Sequence, residues 1–348
     1  MKKFIYTLII FSLPIFIYFT LNFFLVDKIA YRPYEAISFY QSIPYLGHFY
    51  PNSKMDMTSV GDLCHHTKYA VQKKESWETD SLGFRNHEIV EHPDILFIGD
   101  SFFAGTGMTQ SKTIDNSVKE CLGNRISTYN MAPASFSKFD FFFKNGIIKK
   151  PKLIVFSNSE RYNIERLIKI DFNKDQNQIH NKIKHSLRVV IIDKLKRFYL
   201  FRYLMARIMG SSGSGIAGAD NSNMYFFKGK NIIEKNMEET IKNAENIISY
   251  RDYCDSLGCS FLYVPMPNKE SVYFDFVPLD KQPVYLFKLD SILKEANVST
   301  INTLEIYNNY RKSNTDLLYH LDDTHWNSNA TELISKEIAK KYRALIEQ

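Results

Sequence analysis

The chain has 348 residues, 45% of them hydrophobic and 24% charged, which is enough to bury a core in one large domain or two small ones. Its formal net charge of +6 is modest for that length and fits either an inert basic surface or one near anionic lipid or acidic polysaccharide. No zinc-finger spacing and no aromatic RNA-binding motif accompanies the charge, so the sequence gives no reason to expect a nucleic-acid partner.

The N-terminal segment predicts a membrane anchor formed by residues 1–27. From Phe4 to Val26 there is no Asp, Glu, Lys or Arg, and this run is long enough to cross a bilayer as a helix. Lys2 and Lys3 precede it, so the positive-inside rule keeps the N-terminus in the cytoplasm. The alternative is a cleaved signal peptide, but the apolar run is long for one and no A-x-A-like cleavage site follows it. We therefore expect a single-pass protein of the inner membrane with an extracytoplasmic (periplasmic) C-terminal domain.

The four cysteines permit two interpretations. Outside the cytoplasm disulfides form readily, and Cys254 and Cys259 are near enough in sequence to close a small loop. Buried free thiols are the alternative for these two and for Cys64 and Cys121. None of the four has the spacing of a metal site.

Beyond the anchor, residues 28–92 resemble an irregular lead-in, and residues 93–348 resemble one α/β domain. In that domain short β-rich runs alternate with helical patterns, which predicts a parallel sheet flanked by helices. The predicted strands are Ile95–Ile98, Ile126–Tyr129, Leu153–Phe156, Ser260–Val264 and Val298–Thr303.

A long insertion interrupts this alternation at residues 163–230. It is rich in Lys, Arg, Ile and Tyr, and its part from Ile183 to Met209 is basic and amphipathic, which predicts helices. Such helices lie on a membrane surface, contact a membrane partner, frame a substrate groove or form a solvated lid, and the pattern does not choose among these.

The strongest local motif is the apolar run Ile95–Ile98, which leads directly into Gly99-Asp100-Ser101. A serine at the carboxyl end of a central parallel strand lies at the rim where α/β folds bind ligands. Its own N–H then faces an oxyanion that develops on a bound substrate. Turns use the same residue types, so the motif by itself is only moderately specific.

A second motif, Asp322-Asp323-Thr324-His325, lies near the C-terminus. A serine hydroxyl is a poor nucleophile until a base takes its proton, and the base needs an acceptor, usually a carboxylate, to orient it. This short loop supplies both the base, His325, and the acid. The alternative interpretation is a helix N-terminus, with the acids stabilising the helix dipole.

Together the two motifs resemble the SGNH (GDSL-type) hydrolase superfamily, from about Thr79 to the C-terminus. Gly99-Asp100-Ser101 matches the first sequence block of the superfamily, Asn130–Ser137 resembles the second, and Asp322–His325 matches the last. Ser135 occupies the second-block position where a glycine is usual. The resemblance implies a three-layer α/β/α fold with a central parallel sheet, preceded here by one transmembrane helix.

The same resemblance implies roles for individual residues. Ser101 is the expected nucleophile and His325 its base, while Ser135 and Asn130 are expected at the oxyanion and substrate side. General superfamily spacing makes Asp322 the orienting acid, whereas the D-x-H spacing of the acetyltransferase branch makes it Asp323. We predict Asp322, because the chain has the general order of blocks.

The third block departs from the superfamily pattern G-x-N-D. Here the stretch Ser157–Tyr162 ends in Glu-Arg-Tyr, a variant similar to the alginate O-acetyltransferase-like branch. Arg161 is then a candidate for binding negative charge, with an ion pair to Glu160 as its alternative role. Lys269 and Tyr273 resemble the P-x-K-x-x-x-Y stretch of that branch, and either line the groove or pack the loop.

The resemblance implies a serine-dependent enzyme that transfers acetyl groups to hydroxyls of an envelope or exported polysaccharide. Such a reaction is expected to require no metal and no dissociable cofactor. Because acetyl-coenzyme A is cytoplasmic, it also implies a membrane-bound O-acyltransferase as the donor of the acetyl group. Two alternatives remain: a carbohydrate esterase with the same Ser-His-Asp triad, and a non-catalytic polysaccharide-binding or assembly protein on the same scaffold.

Overall fold

The structure is a computed structural model that describes residues 2–168, 176–209, 215–218, 223–227, 234–277 and 282–347. Its strands are β1 (Lys54–Ser59), β2 (Lys73–Glu78), β3 (Ile95–Ile98), β4 (Thr128–Asn130), β5 (Leu153–Ser159), β6 (Gly215–Ala217), β7 (Tyr225–Phe227) and β8 (Ser260–Met266). Its helices are α1 (Lys2–Ile29), α2 (Pro33–Ile37), α3 (Ile114–Cys121), α4 (Phe136–Lys144), α5 (Gln176–Lys184), α6 (Ser186–Lys196), α7 (Tyr199–Met209), α8 (Met237–Leu257), α9 (Lys269–Val272), α10 (Tyr285–Glu295), α11 (Thr303–Ser313) and α12 (Ser328–Ile346). Single 3-10 turns cover Gln110–Lys112 and Phe274–Phe276.

The central sheet has four parallel strands in the order β4-β3-β5-β8. Strand β3 is buried along its whole length, as expected for a strand covered on both faces. Helix α12 packs on α3, and α10 packs on α8, which itself packs on β8. The predicted α/β fold with a central parallel sheet is therefore confirmed, and the residues that follow β3 emerge near the middle of its carboxyl edge.

The predicted strand bounds differ from the structure mainly at the last strand. The stretch Val298–Thr303 pairs with the sheet through a single parallel bridge, between Tyr263 and Thr300. The Val298 N–H bonds to the carbonyl of Leu293 at the end of α10, and Asn302 already caps α11. Two helix ends thus leave too few extended residues for a fifth strand, although the β-branched composition predicts one.

Residues 28–92, predicted as an irregular lead-in, pack into the same hydrophobic core as the sheet. Strands β1 and β2 form an antiparallel hairpin, and Phe49, Trp77 and Phe84 are buried. The buried Arg85 lies over the Trp77 ring at 3.7 Å and donates hydrogen bonds to the carbonyls of Ala104 and Met108. This segment therefore supports the loop that follows the Gly-Asp-Ser turn.

The insertion is not wholly helical where it is described. Helices α5, α6 and α7 are followed by a small antiparallel hairpin, in which Ile216 pairs with Phe226. Parts of the insertion, including residues 169–175 and 210–214, lie outside the described residues.

Within the described residues, one helix is long and apolar enough to cross a membrane, over Lys2–Leu25 of α1. A signal sequence has the same character, so length and composition do not choose between the two. All four cysteines are free thiols, including the buried pair Cys254 and Cys259.

Candidate active site

Ser101 and His325 meet in the folded chain although they lie far apart in sequence. The Ser101 Oγ is 2.7 Å from His325 Nε2, and His325 Nδ1 is 2.6 Å from Asp323 Oδ1. Both separations are within hydrogen-bond reach. When Nδ1–H donates to the carboxylate, Nε2 is left to accept the hydroxyl proton of Ser101. The three side chains form the continuous chain of hydrogen bonds that a serine nucleophile requires.

The turn that carries Ser101 is tied to the neighbouring strand. One carboxylate oxygen of Asp100 accepts from the Phe102 N–H at 3.0 Å, and the other accepts from the Ser159 N–H, at the end of β5, at 2.8 Å. Ser101 itself is partly exposed, whereas His325 is buried with its ring 4.9 Å from that of Phe102. A substrate therefore reaches the hydroxyl from solvent, while the base stays in a drier environment.

The structure corrects the predicted orienting acid, because Asp323 and not Asp322 contacts the imidazole. Asp323 Oδ1 also accepts the backbone N–H of His325 at 3.0 Å, so the carboxylate bonds the amide two residues ahead, as Asp side chains do in turns. Asp322 Oδ2 instead accepts the N–H groups of Gly61 and Val71, each at 2.8 Å. The adjacent carboxylates point in different directions, and Asp322 serves to hold the segment that precedes β2.

Two cations neutralise the buried carboxylate of Asp323. Its Oδ2 lies 3.1 Å from Arg32 Nη1 and 3.5 Å from Lys73 Nζ. Burial acts to raise the pKa of Asp323, but Lys73, Arg32 and the His325 imidazole outweigh it and hold that pKa well below its ordinary value. Asp323 is therefore a carboxylate at any physiological pH, as an acceptor for the Nδ1–H must be.

Lys269 holds the backbone of the histidine loop. Its buried ammonium donates to the carbonyls of His320, Leu321 and Asp323, at 2.6, 2.9 and 3.1 Å. Burial lowers the pKa of Lys269 to about 8. Tyr273 contributes in a similar way, since its hydroxyl accepts the Leu318 N–H at 2.9 Å. The sequence left open whether Lys269 and Tyr273 line the groove or pack the loop. Their contacts show that both pack the loop.

A second acid, Asp62, supports the same loop from the segment before β2. Its two carboxylate oxygens accept the N–H and the hydroxyl of Thr324, at 2.8 and 2.7 Å. Asp62, Asp323 and His325 each place a possible metal-ligand atom within 4.8 Å of the others. Both carboxylates already bind protein donors, and Arg32 lies within ion-pair distance of both, so a metal ion there would compete with an existing guanidinium.

Two backbone N–H groups are placed as candidates to bind an oxyanion. Ala134 N–H donates to the Gly99 carbonyl at 2.8 Å, which holds the loop containing Ser135 against the turn containing Ser101. Within the described ranges, neither the Ser101 N–H nor the Ser135 N–H donates to another backbone group. Asn158, in the third block, donates instead to the carbonyls of Ser159 and Tyr162, so its amide is used within its own loop.

Asn130 does not face the substrate side as predicted. It is fully buried, and its amide donates to the Phe103 carbonyl at 2.8 Å and to Asp115 at 2.9 Å. Its side-chain oxygen accepts the Ala132 N–H at 2.9 Å. With every polar atom of its side chain satisfied inside the protein, Asn130 braces the loop after β4 against the loop after Ser101.

Arg161 remains a candidate for binding negative charge. Its Nε donates to Asn268 at 3.1 Å, and its Nη2 is buried without a hydrogen-bond partner in the described part of the chain. Glu160 accepts instead from the Asn268 N–H and the Ser271 hydroxyl, so the alternative ion pair between Glu160 and Arg161 is not formed.

A cavity of 430 Å³ opens against Gly99 and Asp100, the two residues that precede Ser101, although Ser101 itself does not line it. Asp100 and Ser135 line it on the side of the catalytic turn, and Tyr162 and Tyr250 contribute aromatic surface. Apolar walls with a few polar groups are typical of small-molecule sites. The cavity therefore borders the turn that carries Ser101 and the loop that carries Ser135.

Sequence reasoning missed three charged residues of this site, Arg32, Asp62 and Lys73. All lie in the segment 28–92, which has no motif and no periodicity that points to the histidine loop. Arg32 lies six residues after the apolar run ends at Val26, where a basic residue is an ordinary membrane-flanking charge. Only its contact with Asp323 gives it a role in the site.

No protein-family model matches the chain, and no curated protein matches it in sequence. The chain is similar to a solved catalytic mutant of an acetylxylan esterase from Geobacillus stearothermophilus, with 10% identity and a TM-score of 0.37, over 73% of this chain and 95% of that one. It is also similar to a GDSL-like lipase from Bacteroides thetaiotaomicron, with 9% identity and a TM-score of 0.34, over 73% of this chain and 88% of that one. Similarity at this level carries no argument about chemistry, so the function proposed below rests on the geometry of the site.

Proposed function

We propose that the protein is a membrane-anchored O-acetyltransferase of SGNH type that modifies hydroxyl groups of an envelope or exported polysaccharide. The observation that carries the proposal is the hydrogen-bonded chain from Ser101 through His325 to Asp323. It supports covalent catalysis by a serine, with no step that depends on a metal or a cofactor.

In the first half of the reaction, His325 Nε2 takes the proton of Ser101 as Oγ attacks the acetyl carbonyl. The N–H groups of Ser101 and Ser135 stabilise the tetrahedral oxyanion. Collapse of this intermediate breaks the bond to the donor group, which leaves with the proton from the imidazolium. In the second half, a sugar hydroxyl gives its proton to His325 and attacks the acetyl-serine, and Ser101 regains the proton as it departs.

The position of the site relative to the anchor supports a donor delivered at the membrane. Arg32, which contacts Asp323, lies three residues after Ile29, the last residue of α1. With Lys2 and Lys3 on the cytoplasmic side, the domain is extracytoplasmic, beyond the reach of cytoplasmic acetyl-coenzyme A. A membrane-bound O-acyltransferase partner that passes acetyl groups across the membrane meets this requirement. A reporter enzyme that is active only outside the cytoplasm is fused after Gln348 and is expected to be active. Activity of a reporter that works only in the cytoplasm would contradict this topology.

A carbohydrate esterase with the same triad is the competing function, and the partial exposure of Ser101 favours it because water also reaches an acetyl-serine there. The two functions differ only in the acceptor. The purified protein is incubated with p-nitrophenyl acetate as donor and with deacetylated polysaccharides, and acetylated glycan and free acetate are both measured. Acetylated glycan supports the transferase, whereas free acetate alone, at every glycan tested, supports the esterase.

A non-catalytic role is tested with a serine-directed phosphonate. The probe is expected to label the wild-type protein at Ser101 and to leave a folded Ser101→Ala variant unlabelled. A Ser137→Ala variant, which changes a nearby serine outside the triad, serves as the matched control and is expected to label normally. Absence of label on folded wild-type protein would contradict an enzymatic role.

A further inference from the structure

Helices α6 and α7 present apolar side chains to the outside of the protein. Together with Phe198 in the linker between them, these are Leu187, Ile191, Ile192, Leu195, Phe201, Leu204 and Ile208, and all eight are between 41% and 78% exposed. Single exposed apolar side chains are common on soluble proteins, but a continuous set on two consecutive helices marks an interaction surface.

This surface is joined to the second half of α1. The Phe198 ring lies 6.3 Å from that of Tyr18 and 6.2 Å from that of Phe19. The buried side chain of Asn22 donates to the Arg197 carbonyl and accepts the Leu200 N–H at 3.0 Å. An amide buried against the linker between α6 and α7 fixes the two helices to α1, so they cannot be positioned independently of it.

The depth of this contact follows from the length of α1. Tyr18 and Asn22 lie seven and three residues before Leu25, where the apolar span ends. At a rise of about 1.5 Å per residue, the contact is about 5 to 10 Å inside the end of the span. Amphipathic helices on membranes bury their apolar face to a similar depth of about 5–10 Å, at the boundary between headgroups and acyl chains.

On the described helices α5, α6 and α7 of the insertion, the charges that face outward have one sign. Its exposed charged residues on α5, α6 and α7 include Lys182, Lys184, Arg188, Lys196 and Arg202. The single acidic residue in those helices, Asp193, is buried and bonded to Arg197 and to the Tyr50 hydroxyl. An apolar face on helices whose outward charges, in the described residues, are cations matches the headgroup region of an anionic leaflet.

A cavity of 580 Å³ between α1 and α6 is also lined mainly by apolar side chains. Phe16, Phe19 and Phe23 line it on one side, and Ile192 and Leu195 on the other. The cavity is continuous with the apolar surface of α1, so the segment that spans the bilayer also places this cavity among acyl chains.

We propose that α6 and α7 lie in the interfacial layer of the leaflet from which α1 emerges, with anionic phospholipids as their binding partner. The inference rests on the membrane anchoring of α1 proposed above and goes beyond it. A single span tethers a domain but leaves it free to rotate. A second contact that is fixed to the span sets the height and orientation of the domain, and thereby of the site that Arg32 joins to the end of α1.

The test measures tryptophan quenching by acyl-brominated lipid in the full-length protein, in nanodiscs of phosphatidylcholine and phosphatidylglycerol. Both native tryptophans, Trp77 and Trp326, are buried, and their signal is subtracted with the wild-type protein. Leu195→Trp and Phe201→Trp are expected to be quenched within a factor of about two of Phe11→Trp on α1. Ile346→Trp, an exposed position at the end of α12, is the control and is expected to stay unquenched.

The outcomes separate this inference from the anchor. Quenching of Phe11→Trp without quenching at Leu195 and Phe201 overturns the inference, leaves the anchor intact and assigns the surface to a protein partner. Absence of quenching at Phe11 as well refutes the anchor and with it the interfacial contact. Omission of phosphatidylglycerol is expected to weaken quenching of Leu195→Trp and Phe201→Trp but not of Phe11→Trp. Equal quenching in both lipids would overturn the assignment to anionic headgroups.

Discussion

The pair of variants Asp323→Asn and Asp322→Asn tests the geometry of the site directly, because the two changes are chemically identical and one residue apart. An amide at position 323 no longer accepts the Nδ1–H of His325 as a carboxylate does. It can donate its own N–H to Nδ1, which places the ring proton on Nε2 and removes the base that Ser101 needs. The expected loss in kcat is about 10⁴-fold, the size typical when a triad carboxylate becomes an amide. That factor corresponds to about 5.4 kcal/mol in the activation free energy.

Both variants also lose stability, which makes each a control for the other. Asp323→Asn removes the carboxylate that pairs with Lys73 and one of three that pair with Arg32, which keeps Glu35 and Asp62. Breaking a buried pair costs up to about 3–5 kcal/mol. Asp322→Asn weakens two hydrogen bonds from backbone N–H groups, at a cost of about 1–3 kcal/mol, and it keeps an acceptor oxygen.

The assay is hydrolysis of p-nitrophenyl acetate, measured at a temperature where thermal melts show both variants folded. Asp322→Asn is expected to retain kcat within about tenfold of the wild type, since it contacts neither His325 nor Ser101. Equal losses in the two folded variants would refute the assignment of Asp323 as the orienting acid, and so would an Asp323→Asn variant of nearly normal kcat.

Two further predictions follow from buried charges. Arg32→Gln removes a cation that positions Asp323 and is expected to lower kcat for p-nitrophenyl acetate about 10- to 100-fold, with partial recovery in Arg32→Lys. Lys54→Gln, which breaks an exposed ion pair, is the control, and an effect as large as that of Arg32→Gln would argue against positioning. Burial raises the pKa of Glu160 to about 7, so the folded protein holds this proton more tightly than the unfolded chain does. Its contribution to stability is therefore present below about pH 4.5 and is lost as the pH rises through about 7, up to about 3 kcal/mol. In urea unfolding, the free energy of unfolding of Glu160→Gln is expected to rise relative to that of the wild type between pH 5 and pH 8. A difference in unfolding free energy that stays constant over this range would contradict this account.

Much of the sheet was predictable because each strand signal is local. The apolar run at β3 has the bounds expected from the sequence, and the predicted starts of β5 and β8 agree with the structure. The predicted strand at Val298–Thr303 does not form, because its β-branched residues lie between the end of α10 and the cap of α11. A residue pattern records preference for an extended backbone, but not whether flanking helices leave room to pair.

The segment 28–92 shows the same limit for the site. Its contribution depends on the contacts of Arg32 and of Lys73 with Asp323, which lies 291 and 250 residues further along the chain and shares no motif with them. Asn130 shows the opposite error, since a polar residue in a matched block was expected near substrate but is satisfied entirely within the core.

The residue pattern alone predicts the apolar N-terminal helix, the class of fold, and the two motifs that supply a serine and a histidine, because each depends on neighbouring residues. The folded chain was needed to identify the acid that orients the histidine, the cations that hold that acid, and the position of the insertion against α1. Those choices depend on the directions of side chains in loops and on segments distant in sequence that pack together, and neither is encoded in a local pattern.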